Sequence, residues 1–309
     1  MRPLTRTVPK PALPVLGRPM ILLILEQLRR LGIGRAVVNL HHLPQVLPDL
    51  VASAPPGRLP EVTWSWEAEL LGTGGGIRNA ARWLRGEGTI LVRNADFLAD
   101  LDLAAAVAAH RASGLPVTLV LAESRPGYSV LDVAADGHIL SLAGIPPVED
   151  RSRVAGRYLF TGIHLVEEEI LDQIPEGTTD IVRETYRPLA AKERLGSYVH
   201  RGLWREFGTP REYLDGTLAL LAAPAAARAA VAGDAALLLA REGNVVVGPG
   251  AEVARDCRLE DTVVMDGARI GPGADLRRVL VGPGAFLPPG FRAADALVGA
   301  GDPPEVLPL

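Results

Sequence analysis

VVVGPGAEVARDCRLEDTVVMDGARIGPGADLRRVLVGPGAFL, residues 245–287, carries the strictest periodicity in the chain. Apolar residues stand at Val247, Val253, Leu259, Val264, Ile270, Leu276, Val281 and Leu287, in steps of six, six and five, so that 17 residues return to the same side. Two places before each lies Val245, Ala251, Cys257, Thr262, Ala268, Ala274, Val279 or Ala285, small enough for an inward-facing corner. Gly-Pro-Gly at 248–250, 271–273 and 282–284 supplies tight turns. A three-sided coil stacked on itself meets all these conditions, and the pattern predicts a short left-handed parallel β-helix over residues 243–309. Cys257 then fills a small interior position and is read as structural.

Upstream of the coil, residues 218–242 are rich in Ala and Leu with breaks at Pro224 and Gly233, and are expected to form a helical connector. Residues 1–217 read differently. Met20, Leu23, Ile24, Leu28 and Leu31 recur at helical spacing before Gly32 and Gly34, and a short strand, 35–40, follows. Strand patterns at 89–93 and 117–121 alternate with helical ones at 77–84 and 103–110, which predicts an α/β domain with a Rossmann-like, mostly parallel sheet. Shorter strands at 129–133, 138–142 and 158–165, with turns such as Asp136-Gly137, are expected to add antiparallel pairs.

Composition narrows the function. With 48% hydrophobic residues, the 309-residue chain can bury a large core, and a net charge of −4 with interspersed signs leaves no polybasic face for nucleic acid or membrane. A single cysteine excludes an internal disulfide framework and points to a reducing, cytoplasmic compartment. Prolines at 3, 9, 11, 14 and 19, with Glu26 inside the apolar run, argue against a signal peptide at the start.

Phosphate chemistry in an open α/β sheet belongs at the carboxyl ends of strands. Three segments qualify. In Thr89-Ile90-Leu91-Val92-Arg93-Asn94-Ala95-Asp96 a buried strand runs into a carboxylate suited to Mg²⁺, although Asp96 also fits a simple loop cap. Leu70 to Arg78 holds the glycine cluster Gly72-Thr73-Gly74-Gly75-Gly76 at the opening of a helix, where backbone N–H groups are free; it matches neither the P-loop nor the dinucleotide spacing. Pro9-Lys10-Pro11 fixes the backbone around a lysine, which alone describes only a rigid loop.

Their order supplies the context. Pro3-Leu4-Thr5, Pro9-Lys10-Pro11 and Gly17-Arg18-Pro19-Met20-Ile21 resemble the N-terminal signature of the sugar-1-phosphate nucleotidylyltransferases. Leu71 to Gly76 resembles that family's nucleobase loop, Asn94-Ala95-Asp96 its metal-binding segment, Thr161-Gly162-Ile163 its sugar-side turn, and Trp204-Arg205-Glu206-Phe207-Gly208-Thr209-Pro210 its second metal motif. The resemblance covers roughly residues 2–216, and many members carry a β-helix extension. It implies an enzyme that joins a nucleoside triphosphate and a sugar 1-phosphate into a nucleotide sugar and pyrophosphate. Asp96 and Glu206 would hold Mg²⁺, Lys10 would steady phosphate oxygens, Gly72, Thr73, Gly74 and Gly75 would lie along the nucleotide, and Asn94, Thr161 and Gly162 would face the sugar. The glycine triplet resembles members acting on manno-configured, heptose or N-acetylmuramic acid phosphates. Self-association is expected through the coil.

Three departures qualify this. The family pattern has Asp where Glu206 stands, and Ala143-Gly144-Ile145-Pro146-Pro147 occurs where a Glu-Lys-Pro sugar motif is expected. Relatives also place a buried strand and a Gly-rich, Arg-terminated phosphate loop before the segment that resembles Met1 to Thr5, so these are expected to be missing from the chain as given. Arg2 matches a later position of the signature. The alternative to an enzyme is therefore a truncated homologue that binds a nucleotide sugar or a partner subunit. His41-His42 point apart as neighbours and are read as loop packing, and no histidine lies beyond His200 to serve as an acid–base group in the coil.

Overall fold

The computed structural model describes residues 1, 3–6, 8–86, 88–233 and 240–309, so the part of the expected connector at 234–239, like Arg2, lies outside the described residues. The chain opens with short turns and helix α1, Met20–Arg30, which starts directly after Pro19 and ends on Arg29 and Arg30, cations that suit a helix C-terminus. Its buried face includes Met20, Leu23, Ile24 and Leu28. Glu26, also buried, pairs with the Arg18 guanidinium and lies 3.6 Å from that of Arg58.

Strand β1, Arg35–Leu40, helix α2, Val46–Ala52, and strand β2, Glu61–Trp66, form a two-stranded parallel ladder. Helix α3, Gly72–Leu84, leads to β3, Ile90–Arg93, and β4, Phe97–Ala99; helix α4, Leu103–Ser113, then leads to β5, Val117–Glu123. Asp102 caps α4 by accepting from Ala105 N, and Gly114 ends it in the left-handed region. Strands β6, Leu131–Val133, β7, Ile139–Leu142, and β8, Gly156–Val166, precede helix α5, Arg187–Ala191. β9, Gly196–Val199, and β10, Trp204–Glu206, complete this part.

The fold is mixed α/β, but the sheet around β5 is not mostly parallel. β8 pairs antiparallel with β3, β5 and β6, and only β9 runs parallel to its neighbour β5. The cause is topological. β3 and β5 do share a direction, as a strand-helix-strand unit requires, but the 11-residue β8 lies between them and takes their hydrogen bonds. Its ladder to β5 shifts register between Phe160 and Ile163, where Gly162 has φ +82°.

Helix α6, Pro210–Ala222, carries a capping box from Thr209 and Glu212, and α7, Ala225–Ala232, lies between Pro224 and Gly233, the two expected breaks. Beyond it, β11, Val245–Val247, β12, Glu252–Val253, and β13, Arg258–Glu260, start three stacks. They continue as β14, Val263–Val264, β15, Arg269–Ile270, β16, Asp275–Val281, β17, Phe286–Leu287, and β18, Arg292–Gly299; β19, Glu305–Pro308, pairs antiparallel with β18. The parallel register follows the 17-residue period: Val246 opposite Val263, Val263 opposite Leu280, Leu280 opposite Leu297, with Glu252, Arg269 and Phe286 on a second side. Ala268, Ile270, Ala274, Leu276, Val279, Val281, Ala285 and Leu287 are buried together inside. Cys257 packs against this cluster, its Sγ 3.3 Å from the Gly271 carbonyl.

A single apolar cluster joins the two ends of the chain. Leu13, Met20, Leu23, Tyr213 and Leu214 share it with Val246, Val263, Met265, Leu280 and Leu297, and the strand Asp275–Val281 packs directly against α6. Asp215 on α6 also pairs with Arg278 at 2.8 Å.

Candidate active site

The site is assembled by two strand ends. β4 and β10 are antiparallel, with Phe97 opposite Glu206, and Phe207 N donates to the Asp96 carbonyl at 2.8 Å. Asp96 and Glu206 are thus neighbours although 110 residues separate them. Lys10 joins them from the N-terminal segment, its Nζ 3.3 Å from Asp96 Oδ2. The prolines do what their rigidity allows: Lys10 heads a single turn, Lys10–Ala12, and buried Leu13 closes it by donating its N–H to the Lys10 carbonyl. Asn94, exposed, donates its backbone N–H to the Gly162 carbonyl at 3.1 Å, bringing the β8 bulge to the same place. A side chain at Gly162 would meet Asn94 Nδ2 at 3.0 Å and the Phe97 ring at 3.2 Å, which with its positive φ explains the glycine.

Glu206 is partly buried, and its acid strength reflects that. Loss of solvent pushes its pKa up, the hydroxyl of Tyr128 donating to Oε2 at 2.5 Å pulls it down, and the carboxylates of Glu212 and Asp96 push it up again. Burial and the Glu206 carboxylate hold the Tyr128 phenol above its ordinary pKa, so it remains the donor. Near Asp96, Arg93 is half-buried, held by Gln27 Oε1, 3.2 Å from Nη1, and by the Phe97 carbonyl, 2.9 Å from Nη2. Burial lowers its pKa to about 10, which the nearby Asp96 opposes, and it stays cationic at neutral pH. Tyr128, Arg93 and Gln27 were not singled out from sequence. Only Arg93, beside Asn94-Ala95-Asp96, had a local signal.

The carboxylates fit a hard divalent cation. Asp96 and Glu206 repel one another across a partly buried space and have Lys10 as a nearby cation. Mg²⁺ asks for one or two carboxylates and takes its remaining ligands from water and phosphate. Among the described residues no group of three or more His, Cys, Asp or Glu forms a dedicated metal cage.

The other expected residues are placed as follows. Gly72 and Thr73 are exposed at the start of α3, while Gly74, Gly75 and Gly76 are buried. The close approach these buried glycines permit is to the chain itself: a side chain at Gly75 would meet the Gly177 carbonyl at 2.1 Å, and one at Gly74 would meet Thr179 Oγ1 at 2.4 Å. Gly74 N donates to the Thr179 carbonyl and Ile181 N to Thr73 Oγ1, so segment 177–181 is clamped onto the helix start. Thr161 is buried and donates its hydroxyl to the Val120 carbonyl at 2.7 Å, while its own carbonyl accepts from Trp204 Nε1 at 3.0 Å. These two hydrogen bonds tie it down beside Gly162 in the β8 bulge. His41 and His42 reach separate loop carbonyls, those of Glu67 and Thr5.

Known proteins resemble the chain in sequence and in fold. A family model described as nucleotidyl transferase matches residues 1–223. Mannose-1-phosphate guanylyltransferase of Mycobacterium tuberculosis is 30% identical over 282 residues, spanning 86% of this chain and 76% of that protein. Mannose-1-phosphate guanyltransferase of Eremothecium gossypii is 28% identical over 259 residues, spanning 82% and 70%. The crystal structure of HddC from Yersinia pseudotuberculosis superposes with a TM-score of 0.55 at 21% identity, covering 68% of this chain and 89% of that one, a likeness of fold. The chain belongs to the nucleotidyl transferase family.

Proposed function

We propose that the protein is a sugar-1-phosphate nucleotidylyltransferase, with GTP and mannose 1-phosphate as the first substrates to test. The observation that carries the reading is the meeting of Lys10, Asp96 and Glu206 at the strand ends of a chain 30% identical to a mannose-1-phosphate guanylyltransferase. In the reaction an oxygen of the sugar phosphate forms a bond to the α-phosphorus of the nucleoside triphosphate. The bond from that phosphorus to the bridging oxygen breaks, and its electron pair leaves with pyrophosphate.

Asp96 and Glu206 would hold Mg²⁺, which when bound neutralises charge on the phosphate oxygens. Lys10, fixed by its turn, steadies phosphate oxygens from the other side. Gly72 and Thr73 offer exposed backbone to the nucleotide, with Gly74 and Gly75 holding the loop that shapes it, and Asn94 and Gly162 face the sugar. The tail is read as a left-handed β-helix and residues 1–217, 218–242 and 243–309 as catalytic domain, connector and coil. Its stacked parallel register supports that reading. A second copy of the chain is proposed to bind through the outer coil, where Phe286 is exposed, and the site of action is proposed to be the cytoplasm. No helix among the described residues is long and apolar enough to cross a membrane.

Incubation with GTP, mannose 1-phosphate and Mg²⁺ should yield GDP-mannose and pyrophosphate in equal amounts by chromatography. A screen of other nucleotides and sugar 1-phosphates that also gives no nucleotide sugar overturns the proposal.

A further inference from the structure

Glu206 stands where the related sequences are expected to carry Asp, and its extra methylene leaves the carboxylate free to swing unless something holds it. The structure provides a holder from a distant loop. Tyr128, in the segment after β5, donates its hydroxyl to Glu206 Oε2 at 2.5 Å. Its ring is itself anchored edge-on against Trp204, centroids 5.7 Å apart at 68°. Trp204 is buried, packed against Phe97 with ring centroids 6.1 Å apart and planes tilted at 44°, and tied through Nε1 to the Thr161 carbonyl in the β8 bulge. The hydroxyl is therefore mounted on the same rigid framework, β4, β8 and β10, that carries Asp96, Gly162 and Glu206.

We propose that Tyr128 is a positioning residue for the cation site: it fixes one oxygen of Glu206 so that the other is presented beside Asp96. A tyrosine at this place compensates for the longer acid. One donor occupies one carboxylate oxygen, which leaves the second oxygen as the metal-facing atom and removes the rotational freedom a glutamate arm loses on binding. The inference rests on the nucleotidyl-transfer reading and on its divalent cation, and it concerns a residue outside the motifs that define the family resemblance.

The test is a mutant cycle between Tyr128→Phe and Glu206→Asp, read by Mn²⁺ binding to the full chain without substrates, using the electron paramagnetic resonance of free Mn²⁺. Tyr128→Phe keeps the ring against Trp204, and an unchanged melting temperature checks that the framework survives. Loss of an outer hydrogen-bond partner of a ligand typically weakens metal binding about 10–100-fold, and a loss in that range is expected here. In the Glu206→Asp background the same Tyr128→Phe change should alter affinity by no more than about twofold, because the shorter acid no longer reaches the hydroxyl. Unchanged Mn²⁺ affinity in Tyr128→Phe, or an equal loss in both backgrounds, overturns the proposal. If the wild type binds no Mn²⁺, the two-carboxylate cation site fails and this inference with it. Nucleotide-sugar formation by the wild type, measured separately, tells whether the enzymatic reading stands.

Discussion

At the scale of single residues the proposed reaction centre divides into groups expected to touch phosphate and groups that hold them. Asp96 ends β4's approach beside Lys10, whereas Glu206 is shared with Tyr128. Asp96→Asn should therefore cost more turnover than Glu206→Gln, with losses of order 10²–10³ in kcat for the former, as for removal of one charge-stabilising group. Equal losses, or a loss only at Glu206, contradict this order; steady-state kinetics at saturating Mg²⁺ reads it. Lys10 and Asp96 were visible in the sequence because a proline-flanked lysine and a carboxylate at a strand end each carry a local signature. Tyr128 was not. Its partner is 78 residues away, and only the folded approach of the loop after β5 to β10 brings them together. Thr161 shows the opposite case, a motif residue whose hydroxyl is spent inside the sheet.

At the scale of elements, the glycines opening α3 act through close packing. Gly75→Ala drives a Cβ into the Gly177 carbonyl, a backbone group that cannot swing away, and should destabilise by about 1–3 kcal/mol. Gly34→Ala, whose added Cβ would meet nothing nearer than Arg29 at 3.9 Å, should stay within about 0.5 kcal/mol of wild type in the same denaturant titration.

β8 makes a second prediction. His164 is buried against the Tyr186 hydroxyl, and burial lowers its pKa to about 3. An unfolded histidine titrates near 6.5, so between those values the unfolded state binds the extra proton. Stability is then full above about pH 6.5 and falls as pH drops towards 3, by up to roughly 1.4 kcal/mol per pH unit from this group. His164→Gln should flatten the acid limb of stability against pH; an unchanged slope contradicts it. Helix and strand positions were legible because periodicity is local. The insertion of β8 between β3 and β5 was not, since strand order is decided by which edges find partners across the whole sheet.

For the whole molecule, the coil and the catalytic part share one core. Removing residues 243–309 strips Val246, Val263, Leu280 and Leu297 from the cluster on α1 and α6. Burial of such side chains contributes about 1.5–3 kcal/mol each, so losing several together is comparable with the whole stability of an ordinary domain. The truncated chain should therefore melt markedly lower than the full one in a thermal scan, even though the coil offers no acid–base group to the chemistry. An unchanged melting temperature contradicts the shared core. The 17-residue repeat is local and matches the register of the stacked parallel strands, but their packing on α6 depends on which outer faces are apolar and is not legible in the sequence. The central claim, transfer of a nucleotidyl group at the α-phosphorus, is tested most directly by isotope. With mannose 1-phosphate and Mg²⁺, label from [α-³²P]GTP should appear in the nucleotide sugar and label from [γ-³²P]GTP in pyrophosphate. Release of γ-label as free phosphate, or no transfer of α-label to sugar, would contradict it.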